Sequence, residues 1–221
     1  MPLLLALLFA IPTLVRAASP EVGVPTAMWD APLAAFAAAD DKEAPPPGGV
    51  LFVGSSSIRL WDGLEKDFAA LPVVIKRGFG GSKLSDCVHY LDRLVIRYRP
   101  RLVLVYAGDN DLAEGKTASD VLHQFEAFVQ GVRSALPETR IAFISIKPSP
   151  ARASLLPEIR RANTLVEQFA ATQSGVAYVD VYSPMLAADG TPRRELFKPD
   201  ALHLNDSGYA LWTSVISRYV N

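Results

Sequence analysis

What most constrains this chain is an alternation. Short apolar runs rich in β-branched and aromatic residues recur at 50–53, 73–75, 102–106, 141–146 and 176–181. Between them lie longer stretches whose apolar residues return every three or four positions. The short runs are largely apolar along their length, as a strand covered on both faces must be. Leu84, Val88, Leu91, Val95 and Tyr98 mark one helical stripe, and Val121, Phe125, Phe128 and Val132 a second. Ile159, Leu165, Val166 and Phe169 mark a third, and Tyr209, Trp212, Ile216 and Tyr219 a fourth. Pro100 and Pro137 punctuate links from helix to strand. Strands alternating with helices pair in parallel through right-handed crossovers. The pattern predicts a three-layer α/β/α sandwich around a five-stranded parallel sheet, spanning 50–221. Ahead of it, Trp29, Leu33 and Phe36 predict an outer helix over 28–40 on the domain edge. Pro45-Pro46-Pro47-Gly48-Gly49 then closes an N-terminal segment of helix and linker, 18–49.

At 221 residues, half of them apolar, the chain is long enough for one such unit and its core. Lys plus Arg number 22 against 23 for Asp plus Glu, a formal net charge of −1. That balance leaves no electrostatic footprint for nucleic acid or anionic lipid, and favours a small or neutral ligand. The single cysteine, Cys87, can form neither an internal disulfide nor a Cys-rich zinc site, and reads as a buried free thiol. Residues 1–17 resemble an export signal: an uncharged apolar run at 3–15, then Arg16 and the small residues Ala17 and Ala18. The run is short of the ~20 residues that a bilayer-spanning helix needs. Cleavage before Ala18 is the expectation, with an uncleaved membrane anchor as the alternative.

Ligands of a parallel sheet bind beyond the carboxyl ends of its strands, so the residues following each run carry the chemistry. The first is followed by Gly54-Ser55-Ser56-Ser57, the second by Gly78-Phe79-Gly80-Gly81-Ser82, and the third by Gly108-Asp109-Asn110-Asp111. The fifth leads through a longer loop to Asp200-Ala201-Leu202-His203. A serine hydroxyl is a poor nucleophile until a base takes its proton. His203 can be that base, because an imidazole with a pKa near ~6.5 is part-neutral at working pH. Asp200, three residues earlier, can accept the other ring N–H and stabilise the imidazolium that forms. A tetrahedral oxyanion needs donors already aimed at it. The N–H of Ser56, the N–H of Gly81 and the side-chain amide of Asn110 are candidates, Gly81 because a residue without Cβ lets backbone approach a ligand closely.

The order Gly-x-Ser, Gly-rich turn, Gly-x-Asn-Asp and Asp-x-x-His resembles that of the SGNH (GDSL-like) hydrolases, whose four blocks here match Ser56, Gly81, Asn110 and His203. The resemblance runs from about Val50 to the C-terminus. It implies a flavodoxin-like sandwich and hydrolysis of small-molecule esters or thioesters, such as acyl lipids or acylated carbohydrates, without metal or cofactor. It further implies Ser56 as nucleophile, with Asp200 as the acid behind His203. The family's first block reads Gly-Asp-Ser, whereas Ser55 stands here in the Asp position. The family register selects Ser56, with Ser55 and Ser57 as alternatives, and Gly81 over Gly80.

Each block also has a plainer explanation. Gly-x-Ser alone is a common strand-to-helix turn with a Ser cap. The Gly-rich turn lacks the Lys-Ser/Thr of a phosphate loop. Asp109, Asn110 and Asp111 are ordinary turn and capping residues, Asp111 above all. Asn205-Asp206-Ser207 reads as the cap of the last helix. His89 and His123 lie off the apolar stripes and are expected in solvent, as are Arg193 and Arg194. Trp29, Trp61 and Trp212 read as packing residues. Lys147-Pro148-Ser149-Pro150-Ala151-Arg152 reads as a fixed loop rather than a pocket wall. Four blocks in order, each after a predicted strand, favour the esterase, and the lack of a long apolar lid segment in the sequence favours short-chain or O-acetyl esters. An acyltransferase using the same groups and a non-catalytic binding module are the rivals.

Overall fold

The computed structural model describes residues 27–220, so the expected export segment at 1–17 lies outside the described residues. In chain order the elements are α1 (Ala27–Lys42), β1 (Val50–Gly54), α2 (Ser56–Arg59), α3 (Leu64–Asp67), β2 (Val74–Gly78), α4 (Leu84–His89) and α5 (Leu91–Leu94). There follow β3 (Leu102–Tyr106), α6 (Asp109–Ala113), α7 (Ala118–Ala135), β4 (Arg140–Ile144), α8 (Leu156–Thr172), β5 (Val176–Val179) and α9 (Asp206–Ile216). All strand pairs are parallel, and the sheet order is β2-β1-β3-β4-β5. The predicted five-stranded α/β/α sandwich is the one observed.

Side chains along a strand alternate between faces, and the core divides accordingly. Leu51, Val53, Val103, Val105, Ile141 and Phe143 face a cluster completed by α1, α4, α7 and α8. Val50, Phe52, Leu102, Leu104, Ala142 and Ile144 face the other side, where Trp61, Phe68, Trp212 and Ile216 close over them. The runs are apolar throughout because both faces are dry.

The register aligns the strand ends. Gly54 pairs with both Gly78 and Tyr106, and Ile144 pairs with Val179. The residues that follow therefore emerge along one rim. Sheet order reverses between β1 and β3, which opens the crevice where ligands of such sheets bind.

Two sequence expectations need correction. The stripe from Leu84 to Tyr98 is not one helix: it breaks at Tyr90 and again at Val95, then ends in a short 3-10 turn and a left-handed Arg99. The apolar residues still reach the core, because the broken path bends with its surface. The second strand runs on to Gly78 and includes Lys76 and Arg77. It lies at the sheet edge, where polar side chains find partners. Lys76 Nζ donates to the Trp61 carbonyl at 3.0 Å, and Arg77 lies beneath α1, where Nη2 donates to Asp40 Oδ1 at 2.5 Å and Nε to the Tyr98 hydroxyl at 2.7 Å. Tyr98 in turn donates to Asp40 Oδ2 at 2.5 Å. Trp29 and Leu33 of α1 join the core, with Trp29 edge-on to Phe79 at 5.2 Å. Cys87 is buried, and that burial raises its thiol pKa well above the ordinary value. Among the described residues, no helix is long and apolar enough to cross a membrane.

Candidate active site

The end of β1 approaches β3 more closely than any side chain allows. A Cβ on Gly54, whose φ is +138°, would lie 1.9 Å from the Tyr106 carbonyl oxygen. Immediately beyond, the Ser55 N–H donates to that oxygen at 2.9 Å. The Ser55 carbonyl accepts from the N–H groups of Ile58 and Arg59 at 3.0 and 3.1 Å, and α2 begins. Ser56 is thus the first residue of α2, and the first N–H groups of a helix have no intrahelical acceptor. Ser55 and Ser57 are 3% and 1% exposed, whereas Ser56 is half-buried and reaches the rim.

From the opposite side comes the loop before α9. A bridge between Phe197 and Leu204 and a 2.7 Å bond from the Lys198 N–H to the His203 carbonyl close it into a tight turn, with Ala201 left-handed at φ +58°. Inside the turn, Asp200 Oδ1 accepts the N–H groups of Leu202 and His203 at 2.9 and 3.0 Å. Asp200 Oδ2 lies 2.7 Å from His203 Nδ1, and His203 Nε2 lies 3.1 Å from Ser56 Oγ. The His203 side chain and these two backbone N–H groups hold the Asp200 carboxyl well below the usual carboxylate range. A charged carboxylate only accepts, so Nδ1 carries the proton and Nε2 is left to accept from the serine hydroxyl. Arg194 donates to the carbonyls of Lys198 and Pro199, both at 3.0 Å, and braces the turn. Arg194 is exposed, as expected, while Arg193 is half-buried and donates to the Pro184 carbonyl at 3.1 Å. Asn205 caps α9 as expected, accepting the Gly208 N–H at 3.1 Å.

The remaining two blocks meet each other on the same rim of the sheet. Gly81 is exposed and left-handed at φ +81°, whereas a Cβ on Gly80 would lie 2.7 Å from Arg59 Nε. Asn110, in the first turn of α6, donates through Nδ2 to the Ser82 carbonyl at 3.0 Å, which ties it to the Gly turn. Ser56, His203 and Asp200 are brought together, and so are the Gly81–Ser82 turn and Asn110. His89 and His123 are exposed, as expected.

Sequence reasoning missed the groups behind Asn110. Asp109 is a buried carboxylate, not a turn residue. Its Oδ2 accepts from Lys147 Nζ at 2.6 Å, and its Oδ1 is paired with Arg152 Nη1. Lys147 is 1% exposed and also donates to the Tyr106 hydroxyl at 3.0 Å. Burial alone would raise the Asp109 pKa, but Lys147 and Arg152 outweigh it and the net shift is downward. Burial raises the Tyr106 pKa to about 12, so the hydroxyl keeps its proton. The available signal was a lysine directly after the largely apolar run 141–146, on the functional rim. Asp111 caps its own helix through the Gly108 backbone, as expected, and a second helix besides. Both its oxygens lie 3.2 Å from the Leu84 N–H at the start of α4. Burial, with Asp86 nearby, raises its pKa to about 6. Among the described residues, no three His, Cys, Asp or Glu side chains gather in a metal-holding group.

Fold and rim together define an ester hydrolase built on an α/β/α sandwich. The chain belongs to the GDSL-like lipase/acylhydrolase family, whose model matches residues 51–211. Solved structures share the fold at low identity. A protein from Streptococcus pneumonia named for platelet activating factor is 21% identical, with a TM-score of 0.78 over 88% of this chain and 94% of its own. A GDSL-like lipase from Bacteroides thetaiotaomicron is 19% identical, with a TM-score of 0.72 over 85% and 96%. A carbohydrate esterase family 3 protein from Talaromyces cellulolyticus is 18% identical, with a TM-score of 0.64 over 77% and 95%. No curated protein matches the chain significantly in sequence.

Proposed function

We propose that this protein hydrolyses short-chain or O-acetyl carboxylic esters through an acyl-enzyme on Ser56. The observation that carries the reading is the continuous line from Ser56 Oγ to His203 Nε2 at 3.1 Å and from His203 Nδ1 to Asp200 Oδ2 at 2.7 Å. In the first step Oγ forms a bond to the substrate carbonyl carbon while Nε2 takes its proton. The tetrahedral oxyanion accepts from the N–H of Ser56, the N–H of Gly81 and the amide of Asn110. His203 returns the proton to the departing alkoxide, and the acyl–oxygen bond breaks. A water molecule then gives its proton to His203, attacks the acyl-enzyme, and releases the acid as Ser56 regains its hydrogen. Asp200 remains charged throughout and stabilises the imidazolium. Small substrates are favoured because the sequence shows no long apolar lid segment. The likeness of fold to a carbohydrate esterase supports an acylated sugar as one source of such esters.

Ser56→Ala is expected to lower kcat on p-nitrophenyl acetate by on the order of 10³-fold or more. Near-parental turnover in that variant would remove Ser56 from the reaction. Adding a competing alcohol or sugar and finding acyl transfer in place of free acid would make the protein an acyltransferase. Residues 1–17 are proposed to direct export, on the strength of the apolar run and the small residues after it. Protein recovered outside the cytoplasm should begin at Ala18 by mass; full-length chain confined to the cytosol would overturn this.

A further inference from the structure

Arg152 lies in the 3-10 turn Pro150–Leu155 that follows β4, with backbone angles (φ −119°, ψ 31°) that depart from the helical values around it. Its Nη1 is paired with Asp109, and its Nη2 donates to Asn110 Oδ1 at 2.9 Å. Asp109 is itself anchored by Lys147, so the guanidinium is held from behind by a buried ion pair. The neighbouring Ala151 N–H donates to the Ala201 carbonyl at 3.0 Å, which fixes the same turn to the loop carrying Asp200 and His203.

These contacts bear on a two-fold choice. A primary amide rotated by half a turn exchanges its oxygen for its nitrogen in nearly the same volume. A guanidinium has no acceptor, and a backbone carbonyl has no donor. Arg152 therefore demands the oxygen of Asn110, and the Ser82 carbonyl, 3.0 Å from Nδ2, demands the nitrogen. One orientation satisfies both, and it leaves the second amide N–H for a ligand. The reversed amide would present an oxygen to a developing negative charge. A charged donor on Oδ1 also polarises the amide and strengthens its remaining N–H. Lys147, Asp109 and Arg152 sum to one positive charge, in a place where water is largely excluded.

We propose that Arg152 is a positioning residue that locks the Asn110 amide with its nitrogen toward the reacting carbonyl, and that Asp109 and Lys147 hold Arg152 for that task. This rests on the oxyanion role given to Asn110 above, so the experiment separates the two. Steady-state kinetics on p-nitrophenyl acetate are measured for Arg152→Ala, Arg152→Lys, Asn110→Ala and the Arg152→Ala/Asn110→Ala double variant. Asn110→Ala is expected to lower kcat by about 10²-fold or more, as loss of an oxyanion donor does. Arg152→Ala is expected to lower it by roughly tenfold with KM little changed, the scale of coupling within one hydrogen-bond network. Arg152→Lys, which can donate but reaches fewer acceptors, falls between parent and alanine variant. The double variant is expected to be no slower than Asn110→Ala alone. Equal losses from Arg152→Ala with and without Asn110 would overturn the proposal, as would a rise confined to KM, which would make Arg152 a substrate contact.

A second readout does not depend on turnover. In a ¹⁵N-correlation NMR spectrum, the Asn110 side-chain pair, identified by its loss in Asn110→Ala, is expected to shift or broaden in Arg152→Ala while most backbone signals hold. An unmoved pair would overturn the proposal even if the protein proved inactive on every ester. Absence of Ser56-dependent turnover in the parent would count against the proposed function alone.

Discussion

Two carboxylates stand on the same rim and live in opposite surroundings. Asp200 has a side chain 48% exposed and is held by a histidine and two backbone N–H groups of its own turn. Asp109 is buried and held by two cations from distant segments, Lys147 and Arg152. Both have lowered pKa values for different reasons. Hydrogen bonds lower that of Asp200, whereas for Asp109 ion pairs overcome the opposing push of burial. The contrast separates the carboxylate proposed to assist proton transfer from the one that holds a frame. A group that must stabilise a transient imidazolium can sit in a short, self-contained turn. A buried charge that orients its neighbours must be compensated on every side, because an unpaired one is costly.

The widest expected separation lies in activity. Asp200→Asn keeps an oxygen for the N–H groups of Leu202 and His203 but loses the charge, so kcat on p-nitrophenyl acetate should fall about 10³- to 10⁴-fold. Its loss of stability in urea unfolding should be much smaller than that of Asp109→Asn, because the side chain is 48% exposed and water can replace the lost charge interaction. A large loss of stability in that variant would erase the distinction between the two carboxylates. Asp109→Asn should do the reverse in stability, costing about 3–5 kcal/mol in urea unfolding, because Lys147 is left charged and buried without its partner. A third carboxylate sharpens the comparison by pH. Asp111 has a pKa raised to about 6, so the folded state holds its proton more tightly than the unfolded chain. The resulting penalty is absent below the ordinary carboxylate pKa, grows as pH rises, and is complete above about 6. Relative to the parent, Asp111→Asn should gain up to ~2–3 kcal/mol of stability between pH 4 and pH 7.5. A pH-independent difference in the urea midpoints would show that Asp111 ionises normally.

The sheet and the Asp200–His203 pair were legible in the sequence because both leave local signals. Apolar runs announce buried strands, and Asp200 and His203 lie three residues apart in one turn. Three serines follow β1, and only the family register singled out Ser56 among them. The frame behind Asn110 was not legible, since Lys147 and Arg152 reach Asp109 across 38 and 43 residues of chain. No spacing rule joins a lysine in the loop after β4 to an aspartate after β3. The break in the stripe from Leu84 to Tyr98 was hidden for a related reason: periodicity reports which residues face inward, not whether the backbone between them stays helical. Lys76 and Arg77 show the converse, polar residues in a strand whose partners come from α1 and the Trp61 turn.

Helix α1 sets where a self-sufficient fragment can begin. The family match starts at residue 51, but Trp29 and Leu33 pack inside the core and Asp40 neutralises Arg77 beneath them. Trimming to the matched segment would bare the apolar ground around Phe79, beside the Gly81 backbone, and remove the carboxylate paired with Arg77. The stretch recognisable by kinship is therefore shorter than the stretch able to hold itself together.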